Sequence, residues 1–201
     1  MREKIEEIKQ KALENKIPII MDDTLEEIKK ILIKKQPKKI LEIGTAVGYS
    51  AISFYEMCKC RGEHCSSAIT IDTIELDEER AKEAIHNIKT LGLEDSIKVL
   101  IGDAVEILPT LNSKYDIIFI DASKGKYPIF LENGIRMSNK GSVIIADNVL
   151  YKGYVLSDYN KHKQRTAVRS LREYLKLTEE NPLLETEILE VGDGLAVSEV
   201  K

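Results

Sequence analysis

The sequence predicts an α/β protein: a central, mostly parallel seven-stranded sheet with helices on both faces and a C-terminal antiparallel hairpin. Three observations predict it. Short apolar runs alternate with amphipathic stretches from Lys39 to Leu177, as repeated β-α units do. One run, Asp116–Ile120 (DIIFI), is apolar on both faces, as a central parallel strand should be. Two last runs flank Gly192-Asp193-Gly194, where glycine permits the positive φ of a tight turn.

The elements follow in order. Residues 1–15 or so read as an amphipathic helix with Ile5, Ile8 and Leu13 on one side, broken by Pro18. A second helix starts near Asp22 or Asp23, which can cap its free N–H groups. It buries Leu25, Ile28, Ile31 and Leu32 and closes at Pro37. Lys39–Ile43 is the first strand, Tyr49–Cys58 a helix, Ala68–Ile74 the second strand. Asp77–Leu91 is a helix with Ala81, Ala84, Ile85 and Ile88 in register. Ile97–Ile101 is a strand, Val105–Leu111 a short helix, Asp116–Ile120 the fourth strand. Tyr127–Met137 is a helix and Ser142–Ala146 the fifth strand. A polar loop, 153–164, leads to a helix from about Thr166 to Leu177. Leu184–Glu190 and Leu195–Val200 form the hairpin. No repeat or linker divides the 201 residues, so the chain reads as one domain, with 1–36 as N-terminal helices.

Composition narrows the function. A net charge of −4 argues against a general nucleic-acid coat, although a local basic face is enough to bind RNA. No apolar run spans a bilayer, and the charged N-terminus lacks a secretory core. The expectation is a cytoplasmic protein without a membrane partner. Three cysteines, an odd number, argue against a disulfide framework.

In parallel sheets, ligands bind beyond the carboxyl ends of the strands. At and after the end of the first strand come Glu42, Gly44, Gly48 and Ser50 (EIGTAVGYS). The two glycines let the backbone turn sharply and approach a ligand. The spacing is not the G-x-G-x-x-G of dinucleotide binders. Glu75, after the second strand, can accept hydrogen bonds from both hydroxyls of a ribose. Asp103, in Gly102-Asp103-Ala104 after the third, can accept one from an adenine amine. Each alone is more simply a turn residue or solvated carboxylate; three at successive strand ends, in the order a nucleoside needs, point to a binding site.

These segments resemble the S-adenosylmethionine (SAM) motifs of class I methyltransferases with a Rossmann-like fold. They are most similar to the metal-dependent family of catechol and caffeoyl-CoA O-methyltransferases. The resemblance runs from about Ile17 to Ser198. It implies that the glycine loop holds the methionine part of SAM, with Glu42, Gly44, Gly48 and Ser50 in the site and Ser50 at its carboxylate. It implies Glu75 at the ribose, and Asp103 and Ala104 at the adenine. It also implies Asp121 at the border of the cofactor.

The fourth strand ends in Asp121-Ala-Ser-Lys124 and the fifth in Asp147-Asn148. If these strands are neighbours, Asp121, Asp147 and Asn148 converge as oxygen ligands for a hard divalent cation such as Mg²⁺. The competing reading is that both aspartates cap the following turns. FIDASKGKY, ADNVLYKG and GDGLAVS resemble the family's metal-and-lysine segment, Asp-Asn pair and closing turn. The implied reaction has the metal chelate two adjacent substrate oxygens, with Lys124 and Asp121 as catalytic residues. Lys124 serves as general base if it can accept a proton, or steadies the oxyanion as a cation.

Within the family, NKIPIIMDD, FIDASKGKYPIF and DNVLYKGYV resemble the bacterial tRNA 5-hydroxyuridine methyltransferases. That implies tRNA as partner and 5-methoxyuridine at the wobble position as product. The 5-oxygen and 4-carbonyl of 5-hydroxyuridine offer a metal nearly the bite of a catechol. Lys152, Lys161, His162, Lys163, Arg165, Arg169 and Arg172 form one basic group, and Lys34, Lys35, Lys38 and Lys39 another. Either is a phosphate-binding surface or a solvated face. Tyr151, Tyr154 and Tyr159 are candidates to stack on a base. A small-molecule catechol is the alternative substrate, and a SAM-binding protein without catalysis the alternative class. The N-terminal helices cover the domain or pair across a dimer; the resemblance implies a homodimer. One segment departs from the family: CKCRGEHC, whose Cys58, Cys60, His64 and Cys65 read as a surface loop of thiols or a zinc site.

Overall fold

A computed structural model of the chain describes residues 1–59, 69–158 and 164–201. It divides into two compact units, Met1–Ala104 and Val105–Lys201.

The first unit opens with α1 (Arg2–Glu14) and α2 (Asp22–Lys35). β1 (Lys39–Ile43), α3 (Tyr49–Cys58), β2 (Thr70–Glu75), α4 (Glu78–Thr90) and β3 (Ile97–Ile101) follow. β1 pairs parallel with β2 from Lys39↔Thr70 to Ile43↔Ile74, and β2 parallel with β3. Ile40, Leu41, Ile43, Ile71 and Ile74 are at most 2% exposed, so both faces of this sheet are covered. Asp77 caps α4, accepting the N–H groups of Glu79 and Arg80.

α5 (Ala104–Ile107) bridges to the second unit. That unit carries β4 (Tyr115–Ile120), α6 (Tyr127–Arg136), β5 (Ser138–Ala146), α7 (Arg165–Glu180), β6 (Leu184–Leu189) and β7 (Leu195–Val200). β4 and β5 run parallel, with Ile120 opposite Ala146; β7 pairs antiparallel with both β5 and β6. The full strand order is β3-β2-β1-β4-β5-β7-β6, the mostly parallel seven-stranded sheet and terminal hairpin that the sequence predicts.

The differences are local. In α1 the inward residues are Ile5, Ile8 and Ala12, one face at helical spacing; Leu13 lies a further 100° round the helix and is exposed. Ile85 points outward beside buried Ala84 for the same reason. Neither Asp22 nor Asp23 caps α2, whose N-cap is Met21. Asp22 pairs with Lys9 at 2.6 Å, and Asp23 accepts from the N–H of Thr24. β2 starts at Thr70 and takes in Glu75. β5 starts four residues before the expected Ser142, because Ser142 Oγ accepts the N–H of Asn139 and donates to Tyr115 O, folding a polar stretch onto β4. The short helix splits into α5 and a 3-10 turn at Leu108–Thr110, which contains Pro109. α7 extends by one residue at its start and three at its end.

Candidate active site

In the first unit the residues between β1 and α3 form a left-handed turn. Gly44 (φ 109°), Ala46 (φ 46°) and Gly48 (φ 83°) all have positive φ. Gly48 also packs onto α4: a Cβ there would lie 3.4 Å from Ala84 Cβ. The turn is held by two carboxylates. Glu75 Oε2 accepts the N–H of Ala46 at 2.7 Å and Oε1 that of Asp77 at 2.9 Å. Glu42, fully buried, accepts the hydroxyls of Ser50 and Thr73, and Thr73 meets Thr45 at 2.6 Å.

This arrangement gathers Glu42, Gly44, Gly48, Ser50 and Glu75 on one rim. Each Glu75 oxygen keeps a second lone pair for a ribose hydroxyl. The hydrogen of Ser50 is committed to Glu42, so a ligand carboxylate would have to draw it away. Asp103 is exposed and Ala104 buried at the C-terminal end of β3. Thr45 and Thr73 lie within the segments that resemble SAM motifs, but sequence reasoning gave neither a role. The only signal was that Glu42, placed inside a strand, needs buried donors.

In the second unit the adjacent ends of β4 and β5 bring Asp121, Lys124, Asp147 and Asn148 into one cluster. The N–H of Asp147 donates to Ile120 O, and Lys124 Nζ donates to Asn148 Oδ1 at 2.9 Å. Asp147 is 2% exposed; its Oδ1 accepts the N–H of Asn148. Burial, with the charge of Asp121 next, pushes the Asp147 carboxyl up to about 7. Burial also raises Asp121, which the charge of Lys124 partly offsets. Tyr127, wholly buried, donates to Asp147 O at 2.9 Å and so ties the start of α6 to the end of β5. Sequence reasoning gave it only as the first residue of a helix, with no role of its own.

Beyond Asn148 the chain keeps left-handed φ at Asn148, Tyr151, Lys152 and Gly153. Tyr151 packs edge-on against Tyr154, and Lys124 Nζ lies 5.7 Å from its ring centre. The turn at Gly192-Asp193-Gly194 backs this segment: Val149 N–H donates to Gly194 O and Leu150 N–H to Asp193 O. A Cβ on Gly194 would sit 2.4 Å from Leu150 Cγ.

The donor set fits a divalent cation. Two carboxylates raised by their surroundings, Asp147 buried and Asp121 half-buried, gain from a cation, and with an amide oxygen they form an all-oxygen set. Among the described residues no three His, Cys, Asp or Glu side chains cluster as a cage. Cys58 is a half-buried free thiol, pushed up to about 11 by burial. Cys60, His64 and Cys65 lie outside the described residues, as do Tyr159, Lys161, His162 and Lys163.

The basic groups separate. Arg165 and Arg169 line a surface cleft of about 590 Å³ with Val155, Leu156 and Val168. Arg172 is bound to backbone carbonyls instead. Lys39 pairs with Asp72 at 3.6 Å. No helix among the described residues is long and apolar enough to cross a membrane.

The strand order and the acids at the strand ends define a class I methyltransferase, and comparison with known proteins agrees. The O-methyltransferase family model matches residues 1–200. The catechol O-methyltransferase of Niastella koreensis is 34% identical over 175 residues, 83% of this chain and 75% of that one. That of Mycobacterium tuberculosis is 31% identical over 172 residues, 83% and 73%. The O-methyltransferase structure from Bacillus cereus, in complex with SAH, superposes with a TM-score of 0.86 at 28% identity, covering 99% of this chain and 91% of that one. The chain belongs to the O-methyltransferase family and is a SAM-dependent O-methyltransferase.

Proposed function

We propose that this enzyme moves the methyl group of SAM onto one of two adjacent oxygens on a flat ring, with a divalent cation such as Mg²⁺ holding both oxygens. The acceptor we favour is 5-hydroxyuridine at the wobble position of tRNA, giving 5-methoxyuridine. The observation that carries the reading is the cluster of Asp121, Lys124, Asp147 and Asn148 at two adjacent strand ends. Glu42, Gly44, Gly48, Ser50, Glu75, Asp103 and Ala104 are assigned to SAM. Asp121, Asp147 and Asn148 are assigned to the cation, and Asp121 also to SAM. When bound, the cation supplies charge that lowers the pKa of the acceptor hydroxyl.

The remaining work falls to side chains. Glu75 both fastens the glycine turn and accepts the ribose hydroxyls. Lys124, a donor to Asn148 and a cation facing Tyr151, steadies the acceptor oxyanion. Tyr151 and Tyr154 offer a wall for the acceptor ring. Most of the rate comes from holding donor methyl and acceptor oxygen close and in line. Arg165 and Arg169, on the exposed cleft, are the phosphate contacts. A homodimer is part of the same reading, supported by exposed Leu13, Met21 and Ile33 on or beside α1 and α2.

A second reading, a small-molecule catechol as acceptor, is favoured by the likeness to two catechol O-methyltransferases. Replacing Arg165 and Arg169 together by Ala separates the two. The tRNA reading expects kcat/KM for unmethylated tRNA to fall at least tenfold while turnover of a free catechol is unchanged. Efficient catechol turnover with no tRNA product at any salt concentration would establish the second reading.

A further inference from the structure

We infer that Arg172 is a positioning residue: a single side chain that fixes the acceptor wall built by Tyr151 and Tyr154. The inference rests on the reading of that wall given above. Arg172 lies two turns into α7, outside the Asp-Lys-Asp-Asn cluster and outside every motif of the sequence.

The segment from Asn148 to Ser157 is unusual backbone. Asn148, Tyr151 and Lys152 have φ of 58°, 43° and 58°, a region that residues with a Cβ rarely adopt. Such a conformation persists only where its surroundings hold it. Its first half is held by backbone: Val149, Leu150 and Tyr151 donate their N–H groups to the carbonyls of Asp193 and Gly194. Its second half has two backbone bonds, Tyr154 N–H to Tyr151 O and Val155 N–H to Leu150 O, and a bond from Ser157 Oγ to Tyr154 O; Arg172 is what ties it to another element. The guanidinium donates from Nε to Val155 O at 3.0 Å, from Nη2 to Tyr154 O at 3.2 Å, and from Nη2 to Ser157 O. These three carbonyls lie along one stretch of chain and face one planar fork of donors, a geometry that guanidinium matches and a single ammonium cannot.

The connection to the site is short. Tyr154, whose carbonyl Arg172 holds, packs edge-on against Tyr151 with ring centres 5.9 Å apart at 90°. Tyr151 in turn lies over Lys124 Nζ. Arg172 therefore sets the aromatic pair, and through it the space in front of Lys124, without touching either reactant. It separates from Arg165 and Arg169 in the same cleft. All three are exposed, but Arg172 spends its donors on the chain itself.

The test compares Arg172→Gln and Arg172→Lys with the wild-type enzyme in three measurements. These are hydrogen exchange of peptides spanning 149–158, SAM affinity by calorimetry, and KM for the acceptor, catechol or undermethylated tRNA, that the wild type methylates. The expected result for Arg172→Gln is exchange at least tenfold faster in 149–158 and an acceptor KM raised at least fivefold, with SAM affinity within twofold. Arg172→Lys, which keeps the charge but not the fork, gives an intermediate effect; if Arg172→Gln fails to fold, this variant alone decides. Unchanged exchange in 149–158 overturns the inference. So does faster exchange with an unchanged acceptor KM, or a loss of SAM affinity equal to the loss in KM, which marks general loosening. A wild type inactive on both acceptors sinks the proposed function instead, and the exchange measurement then decides whether Arg172 holds the segment.

Discussion

Asp147→Asn should make the metal-free enzyme more stable at alkaline pH while abolishing its activity. Burial first, and the charge of Asp121 second, raise the Asp147 carboxyl from 3.8 to about 7. A raised carboxyl contributes stability that is fully present below its unfolded pKa and lost as pH rises through the folded one. The window is therefore pH 4 to 7, at about 1.4 kcal/mol for each pH unit, or about 4 kcal/mol at most. Between pH 5 and pH 8 the wild type should lose about 3 kcal/mol relative to Asp147→Asn, on the order of 1 M in urea midpoint. Asparagine keeps the volume, and its Oδ1 can still accept the N–H of Asn148. The assay is urea unfolding of both proteins at pH 5 and pH 8, with EDTA and then with Mg²⁺. Mg²⁺ should restore wild-type stability at pH 8 and leave the variant unmoved. A variant less stable than wild type at pH 8 in EDTA, or a difference independent of pH, would refute the reasoning.

Three further outcomes follow from the contacts. Lys124→Met should lower kcat by about 10² or more with SAM affinity unchanged; Lys124→Arg, which keeps the charge, should retain far more, and equal loss in both would assign Lys124 the role of base. Thr73→Val removes a buried hydroxyl donor from Glu42 and the partner of Thr45, so unfolding free energy should fall by about 2 kcal/mol and SAM affinity should weaken in calorimetry; Thr73→Ser should restore both. Gly194→Ala puts a Cβ at 2.4 Å from Leu150 Cγ in a residue at φ 88°, so it should cost about 2–4 kcal/mol in denaturant unfolding, where Gly153→Ala, with open space around it, should cost about 1.

The central strands were legible because they are apolar runs bounded by glycine, proline or acidic residues, as at DIIFI and SVIIA; their order in the sheet was not. The candidate site residues were legible for a related reason: they lie at strand ends, Glu42 and Glu75 in the last residues of β1 and β2, Asp121 and Asp147 just after β4 and β5. What escaped were partners chosen by tertiary contact. Asp22 reads as a cap yet pairs with Lys9 on another helix, and Arg172 reads as one more surface cation yet holds three carbonyls. Boundaries failed where a polar stretch earns its strand from side-chain bonds, as Ser142 does for the start of β5. Helix faces failed at Leu13 and Ile85, each next to an alanine that fills the inward position instead.

The most direct test of the central claim is methyl transfer from SAM, with Mg²⁺, onto tRNA from cells that lack 5-hydroxyuridine methylation, followed by mass analysis of the nucleosides. 5-Methoxyuridine is the expected product, abolished by EDTA and by Asp121→Ala. No product on that tRNA, while a catechol is methylated under the same conditions, would contradict the RNA acceptor; methylation that survives both EDTA and Asp121→Ala would contradict the metal cluster itself.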